Sequence, residues 1–388
     1  MKYLIVMGGG VLQLQTFVEC DKLGLKTILI DGNENCYCRP YCDRFVQISI
    51  HHPENIVYAL PEDVDIVGVY TQGCDAEYTV AYVAEQLGLP SIGREAALNC
   101  KDKVRTREIF KKHRILQPNI IVGNSVFPII VKPADNCGSR GITVVRKQEE
   151  FIGAYHKAKK HSMCGKVVIE EFIEGREYSV DTIVYKGVVY PAGISDRTFL
   201  DKEKNAIQDG SMTPSMLPSH TQQKIYSIMQ DCADAVGVKW GAFKGDILID
   251  KDDNIYVIEV TARLSGGFDA QYRKPYSYGL NLIKATIDLA CGKELDFKDI
   301  IPKWVKWSQT FTVFPKPGRI MEIKGRDELR MLPGVEEFFI TKHIGELVKY
   351  NDCSNRVIHI IACRDTYEEL QETINRARKV VKFITEEV

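Results

Sequence analysis

The sequence predicts a mixed protein of several lobes: a doubly wound α/β lobe first, an α+β region after it, and a small α+β segment at the end. Three observations predict it. Over the first hundred residues, short apolar strands alternate with helical stretches. After Asn99 the chain turns to a charged helix, and then to strands broken by a glycine loop. Between Phe243 and Phe268 two strand patterns flank the polar turn Lys251-Asp252-Asp253-Asn254, which marks a β-hairpin. A chain of 388 residues has room for two or three such lobes.

The first lobe opens with the apolar strand KYLIVM, which runs into Gly8-Gly9-Gly10 and a helix near residues 12 to 23. KTILID and DIVGVYT read as later strands, and a helix follows from about Asp75 to Leu87. The three glycines, with Asp31 ending the next strand, invite a dinucleotide-binding reading. Gln13 stands where the third glycine of that fingerprint belongs, so the helix would not pack as closely. Two readings stay open: an anion site for a substrate carboxylate or phosphate at the helix start, and a plain strand-to-helix turn.

Bulk composition excludes some classes. The 51 basic and 52 acidic residues nearly cancel, so bulk charge gives no pull toward nucleic acid or a membrane surface. No apolar run is long enough to span a bilayer. The apolar start meets a glycine turn rather than a cleavage site, so it reads as a strand, and a cytoplasmic protein is expected. The 12 cysteines are scattered and are expected as free thiols. Cys36, Cys38 and Cys42 form the one cluster, near His51 and His52. Their spacing is not that of a zinc site, and plain loop cysteines are expected.

The next region carries the chemistry. Lys103 lies on the charged helix KDKVRTREIF. Lys132 ends the strand IIVKP and would project past a sheet edge. Two lysines flanking one cleft would neutralise phosphate charge; each alone reads as a surface lysine. Gly138-Ser139-Arg140-Gly141 joins that strand to ITVVR. Its backbone N–H groups can wrap phosphate oxygens, or it is an ordinary turn. Cys137 lies in the same loop. A helix near 148 to 160 leads to VVIEEF, which carries Glu170 and Glu171, followed by Ile173 and Glu177. A strand backbone with apolar walls suits adenine, and a carboxylate at its rim can take the exocyclic amine or ribose hydroxyls. Exposed acids on an amphipathic strand pair are the plain alternative.

Strands around 177 to 194 and a helix from about Thr221 to Val236 lead into the hairpin. Asp246 sits near the start of its first strand and Glu259 near the end of its second, with Arg263 four residues on. Paired acids with a nearby guanidinium suit Mg²⁺ on a polyphosphate. From about residue 305 a final segment begins. Its last helix starts at a capping box, Thr366 with Glu369, and Leu370, Ile374, Ala377, Val381 and Ile384 are expected along one face.

In this order and spacing the segments resemble the ATP-grasp superfamily over nearly the whole chain. The resemblance rests on Asp102-Lys103, the V-K-P at Lys132, the GSRG loop, EEFIEGRE, and Glu259 with Arg263. It implies an N-terminal α/β domain over 1–97 and a central ATP-grasp domain over 98–304, with a mobile lid about 118–175. A C-terminal α+β domain over 305–388 completes it. It also implies roles. Lys103 and Lys132 would contact ATP phosphates, under a lid of Ser139, Arg140 and Gly141. Glu170 would take the adenine amine, the backbone of Glu171 and Ile173 would read the ring edge, and Glu177 would hold ribose. Asp246 and Glu259 would bind Mg²⁺ or Mn²⁺, with Thr261 in place of the family's usual Asn. Arg263 would steady the transferred phosphoryl group.

The implied chemistry is activation of a carboxylate as an acyl phosphate and its capture by an amine, which needs positioning and charge rather than a nucleophilic side chain. After Arg263 the chain reads Leu264-Ser265-Gly266-Gly267-Phe268, with glycine where a biotin carboxylase would carry its acid. That pattern looks more like ligases of amino acids. Alternatives are a purine-pathway carboxylating relative, a non-catalytic ATP-binding regulator, and an NAD-dependent oxidoreductase using the first glycines. Small-molecule carboxylate and amine partners are expected, with Gly9, Gly10, Asp75, Arg197, Arg263, Gly266 and Gly267 toward the substrate. Asp31, Glu77 and Ser195 are further candidates there. No nucleic acid or membrane partner is expected; a homodimer is compatible with the resemblance.

Overall fold

The computed structural model describes every residue except 123–125, 137, 139, 200–207 and 350–355. The first sheet holds β1 (Lys2–Met7), β2 (Lys26–Ile30), β3 (Arg44–Val46) and β4 (Asp65–Tyr70), all parallel in the order β3-β2-β1-β4. Alternate residues face opposite sides of a strand, and a parallel sheet buries both. Leu4, Val6 and Leu29 pack with Phe17 and Cys20 of α1 (Leu14–Lys22). Ile5, Met7, Ile28 and Ile30 pack with Ile56 of α2 (Pro53–Tyr58) and Val83 and Ala84 of α3 (Glu77–Gln86). Gln13 explains the missing third glycine. Its buried side-chain amide donates to the carbonyls of Met7 and Gln72 and accepts from the Gln72 amide, clamping the ends of β1 and β4.

Two consecutive helices follow, α4 (Arg94–Lys101) and α5 (Lys103–Lys112). Asp102 breaks them apart and caps α5, its carboxylate accepting from the amides of Val104 and Arg105. A small antiparallel sheet then forms from β5 (Ile129–Pro133), β6 (Thr143–Val145) and β7 (Val167–Glu171), in the order β6-β5-β7. Helix α6 (Gln148–His161) covers it with Ala154 and Ala158 on Ile129, Val131 and Val145.

The main sheet has the order β12-β11-β8-β9-β10-β13-β17-β15, in which β13 is Trp307–Phe311, β15 is Val335–Ile340 and β17 is Ile358–Arg364. Its first part is β8 (Arg176–Tyr185), β9 (Val188–Phe199), β10 (Gln208–Thr213), β11 (Gly241–Ile249) and β12 (Ile255–Thr261), backed by α7 (Ser219–Val236). After the short α8 (Lys274–Tyr278), helix α9 (Leu282–Ala290) packs Ile283 and Ile287 on the first sheet and Leu282 and Leu289 beside Ile183 and Tyr185 of β8. It ties the two sheets together.

The final segment is not detached from the main sheet. Its β13 (Trp307–Phe311) pairs with β10, and β17 and β15 extend the same sheet. The remaining elements are β14 (Gly318–Lys324), α10 (Arg326–Arg330), β15 (Val335–Ile340), β16 (Leu347–Val348), β17 (Ile358–Arg364), α11 (Tyr367–Val380) and β18 (Lys382–Glu386). The capping box at Thr366 and Glu369 forms as expected. The expected apolar face is shorter than the sequence suggested. Helix α11 stops at Val380, and Ile384 is 42% exposed in β18, because period-two alternation there turns Phe383 inward instead. No helix of the described residues is long and apolar enough to cross a membrane.

Candidate functional site

The hairpin forms, and its register is the first fact of the site. Asp246 and Glu259 are direct cross-strand partners. Asp246 sits in mid-strand rather than near its start. Side chains opposite one another share a face, so the two carboxylates lie together. The next pair is Ile247 with Val257, so Ile258 is the extra residue of a β-bulge beside Glu259.

Paired carboxylates repel unless cations separate them. Lys103 Nζ lies 2.8 Å from Glu259 Oε1. Lys244 Nζ lies 2.8 Å from Asp246 Oδ1, and Arg197 Nη1 lies 3.3 Å from it. Burial pushes the Glu259 carboxyl up, but Lys103 and then Lys244 outweigh it and leave its pKa at about 2. For Asp246, burial is outweighed by Arg197 and Lys244, so its pKa is also lowered. Both acids are therefore ionised at neutral pH. Thr261, two residues after Glu259 on the same strand face, has a buried Oγ1 with no hydrogen-bond partner among the described residues. Two ionised carboxylates and an unsatisfied hydroxyl are hard oxygen donors of the kind Mg²⁺ or Mn²⁺ takes. Among the described residues no group of three or more His, Cys, Asp or Glu comes together as a metal site, so the donor set here is two acids and a hydroxyl.

Across the cleft, Lys132 lies within β5 and is buried rather than projecting past the sheet edge, its Nζ 2.5 Å from Glu170 Oε2. Arg107 of α5 holds the same carboxylate, its Nε donating to Oε1 at 2.8 Å. Glu170 was expected at the rim. Instead it is completely buried, because alternation along β7 turns it inward, and both oxygens are committed to Lys132 and Arg107. Glu171 turns the other way, and its carboxylate accepts from the backbone and side-chain nitrogens of Asn119. The Glu171 amide donates to the Asn119 carbonyl, so that N–H is already used. Ile173 is half-buried just after β7. Glu177 lies 3.6 Å from Arg197 Nη1.

In the glycine loop, Gly141 takes φ +81°, and a Cβ there would come within 2.7 Å of the His161 Cβ, so only glycine lets the loop close on α6. Arg140 is exposed, and Lys103 Nζ donates to the Asn136 carbonyl at 2.8 Å. Ser139 and Cys137 lie outside the described residues.

The third group joins the first sheet to the hairpin. Arg263 Nη2 lies 2.8 Å from Asp75 Oδ1, and its Nε lies 2.9 Å from Glu77 Oε1. Burial raises the Glu77 carboxyl, while Arg263 pulls it down. Gln72 donates to the Ser265 carbonyl, and a Cβ at Gly73 would come within 3.1 Å of Gly266 Cα. Gly267 takes φ +65°, with open space where a Cβ would stand.

The first glycine turn is partly filled from within. Asp31 Oδ2 accepts from the Gly9 amide at 2.7 Å, so that N–H already faces an anion. Gly10 is exposed, and a Cβ there would meet nothing within 4 Å. Cys36 is packed against Gly9, and Cys38 Sγ donates to the Gly10 carbonyl, so the cysteine cluster serves as packing.

Sequence reading missed several groups. Arg107 lies four residues after Lys103, on the same helix face, and that spacing was the available signal. Lys244 lies two residues before Asp246, on the same strand face. In a buried network of Asp181, Lys274, Asp269 and Arg273, the i,i+4 spacing of Asp269 and Arg273 was the available signal, while Asp181 joins them only in three dimensions. Asp181 accepts from the Ser265 amide, and Ser195 donates to Asp269, which fixes the loop after Arg263. A cavity of about 750 Å³ is lined by Arg176, Lys224 and Lys251 and by neither hairpin acid. A cavity of about 430 Å³ also lacks both acids in its lining, but it is lined by Glu177, Asp196 and Arg197, and Arg197 reaches Asp246, so the chemistry favours that one.

Comparison with known proteins agrees with this geometry. The model of the ATP-grasp domain matches residues 100–267, and that of L-amino acid ligase C-terminal domain 2 matches residues 310–386. A D-alanine–D-alanine ligase of Saccharophagus degradans is 30% identical over 46% of this chain and 60% of its own length. An alanine–anticapsin ligase of Bacillus subtilis is 23% identical over 64% of this chain and 62% of its own. The chain thus spans about six tenths of the length of these two relatives. An L-amino acid ligase from Bacillus licheniformis superposes with a TM-score of 0.85 at 22% identity, covering 100% of this chain and 99% of that one, which shows a shared fold.

Proposed function

We propose that the chain is an ATP-dependent, ADP-forming ligase of the ATP-grasp superfamily, joining a small carboxylate to an amine; the matches of residues 100–267 and 310–386 support that reading. An amino acid is the proposed carboxylate and a second amino acid the proposed amine. The observation that carries the reading is the facing pair Asp246 and Glu259, held ionised by Lys103, Lys244 and Arg197.

In this reading Asp246 and Glu259, with Thr261 Oγ1, hold Mg²⁺ or Mn²⁺. The cation supplies charge neutralisation for the ATP phosphates. Lys103 and Lys132 bind phosphate oxygens, and Ser139, Arg140 and Gly141 close over them. The backbone around Glu171 and Ile173 reads adenine, and Glu177 meets the ribose. Glu170 acts behind this surface by holding Lys132.

The substrate carboxylate attacks the γ-phosphorus, ADP leaves, and an acyl phosphate forms. Arg263, beside the glycine pair Gly266-Gly267, stabilises charge on the transferred group. The amine then attacks the acyl carbon; phosphate leaves, the amine loses a proton, and an amide results. Gly10, Asp75 and Arg197 shape the pocket for the acceptors, and Gly9, buried with its N–H on Asp31, supports the turn behind them. The division into 1–97, 98–304 and 305–388 belongs to the same reading.

The test is release of ADP and phosphate from Mg-ATP across pairs of amino acids, with bicarbonate and an aminoimidazole ribonucleotide as controls. Release that needs two amino acids, with a dipeptide found by mass spectrometry, supports the ligase. Release that needs bicarbonate and the ribonucleotide moves the chain to the carboxylating alternative. Tight ATP binding with no release across all pairs counts against an enzyme of this class.

A further inference from the structure

Helix α5 presents two cations to the cleft from one face. Lys103 and Arg107 are four residues apart and so lie one above the other. Lys103 reaches the Glu259 carboxylate. Arg107 reaches past it to two elements at once. Its Nε and Nη2 donate to the two oxygens of Glu170, at 2.8 and 3.4 Å, and Nη2 also donates to the Ile258 carbonyl at 2.6 Å. Glu170 lies on β7 and holds Lys132. Ile258 is the bulged residue of β12, next to Glu259.

The guanidinium is a rigid planar fork, so partners that share it are held at a fixed separation. Its side chain is 2% exposed, and that of Glu170 is 0% exposed, so water does not compete for these bonds. An ion pair serving burial alone would need only the carboxylate. Here a donor is also spent on the carbonyl that the bulge withdraws from the ladder, one residue from Glu259.

We propose that Arg107 is a positioning residue of the reaction: one guanidinium sets Lys132, through Glu170, and the Glu259 strand, through the Ile258 carbonyl, across the cleft from each other. This rests on the reading of the cleft as an ATP site. Neither Lys132 nor Glu259 touches the other's strand directly in β-pairing, so without Arg107 the small sheet and the hairpin lose a shared anchor. The electrostatics agree. Burial lowers the Lys132 pKa, Arg107 and Lys103 lower it further, and Glu170 is the anion that holds it up. Lys132 in turn helps to lower the Glu259 carboxyl, behind Lys103 and Lys244.

The test uses Arg107→Met, Arg107→Lys and Glu170→Gln in the full chain. Amide exchange of the ligand-free protein and calorimetric titration with Mg-ATP are the readouts. Arg107→Met is expected to speed exchange in both β7 and β12 by roughly tenfold or more, and to weaken ATP binding by a similar factor. Arg107→Lys keeps the charge but reaches fewer partners, so it should fall between. Glu170→Gln removes the link to Lys132 but leaves the bond to the Ile258 carbonyl, so it should weaken ATP binding and speed exchange in β7 more than in β12. Wild-type exchange in both strands of Arg107→Met would overturn the proposal, as would faster exchange in only one of them. If the wild-type protein takes up no ATP, the reading of the cleft fails, and the exchange pattern still decides whether Arg107 couples the two elements.

Discussion

Replacing Glu259 by Gln keeps the side chain's shape and removes its charge. The Glu259 carboxyl stands at about 2 in the fold against an ordinary value of 4.5. Burial opposes that depression, and Lys103 and Lys244 more than offset it. A difference of about 2.5 units corresponds to ~3 kcal/mol of stability. The side chain is 26% exposed, so solvent screening makes that figure a ceiling.

The sign follows from the direction. A depressed carboxyl contributes fully above its unfolded pKa of 4.5, and the contribution is lost as pH falls through about 2. The Gln variant cannot titrate there, so the gap between the two proteins is the readout. Amide exchange in β11 and β12, in metal-free buffer, measures the free energy of opening that hairpin. The expected gap is about 2–3 kcal/mol from pH 5 to 7, shrinking below pH 4.5. A variant hairpin as stable as the wild type at pH 7, or a gap that ignores pH, would refute the reasoning.

Two further changes test other parts of the cleft. Lys132→Ala removes a charge-assisted contact and should weaken ATP binding by about 1.5–3 kcal/mol, roughly 10- to 150-fold. Calorimetry checks it, and unchanged affinity would show that the phosphates lie elsewhere. Thr261→Val replaces a buried hydroxyl that has no partner, so metal-free thermal stability should hold within about 0.5 kcal/mol. The Mg²⁺ concentration needed for half-maximal turnover should rise; superimposable Mg²⁺ curves would remove Thr261 from the metal site.

The elements that read well from sequence are those whose signals are local. Strands β1, β2, β4 and β5 are apolar runs bounded by turn residues, and the Thr366 capping box is written in four residues. The hairpin that carries both acids was legible, but their pairing was not: the turn register, Ile249 with Ile255, would set Asp246 opposite Ile258, and only the bulge brings it opposite Glu259. What escaped depends on the third dimension. Glu170 and Glu171 are adjacent identical letters, and only the sheet decides which is buried. Gln13 looked like a defect in a glycine motif until its amide was seen to join β1 and β4. The final segment looked separate because nothing in its own residues says that β13 pairs with β10. Asp269 and Arg273 stand at a readable i,i+4 spacing, but nothing local says that Asp181 of β8 comes to Lys274 beside them.

The ion pairs of the cleft also imply an order of binding. Glu259 is held by Lys103, Asp246 by Lys244 and Arg197, and Glu177 by Arg197. A unit pair at about 4 Å near a protein surface attracts by roughly 4 kcal/mol before desolvation. A divalent cation arriving alone must compete with those lysines and that arginine for the same oxygens, leaving them without partners. A polyphosphate arriving alone meets cations already committed to carboxylates. Arriving together, the metal takes the carboxylates and the phosphates take the released cations, so each lowers the cost of the other. The coupling must be reciprocal. Mg²⁺ should therefore bind more tightly with a non-hydrolysable ATP analogue present, and the analogue should tighten by the same factor with Mg²⁺, after correction for their association in solution. Calorimetric titration in both orders measures both factors. Equal Mg²⁺ affinity with and without the analogue would mean that Lys103, Lys244 and Arg197 do not exchange partners when the cleft fills.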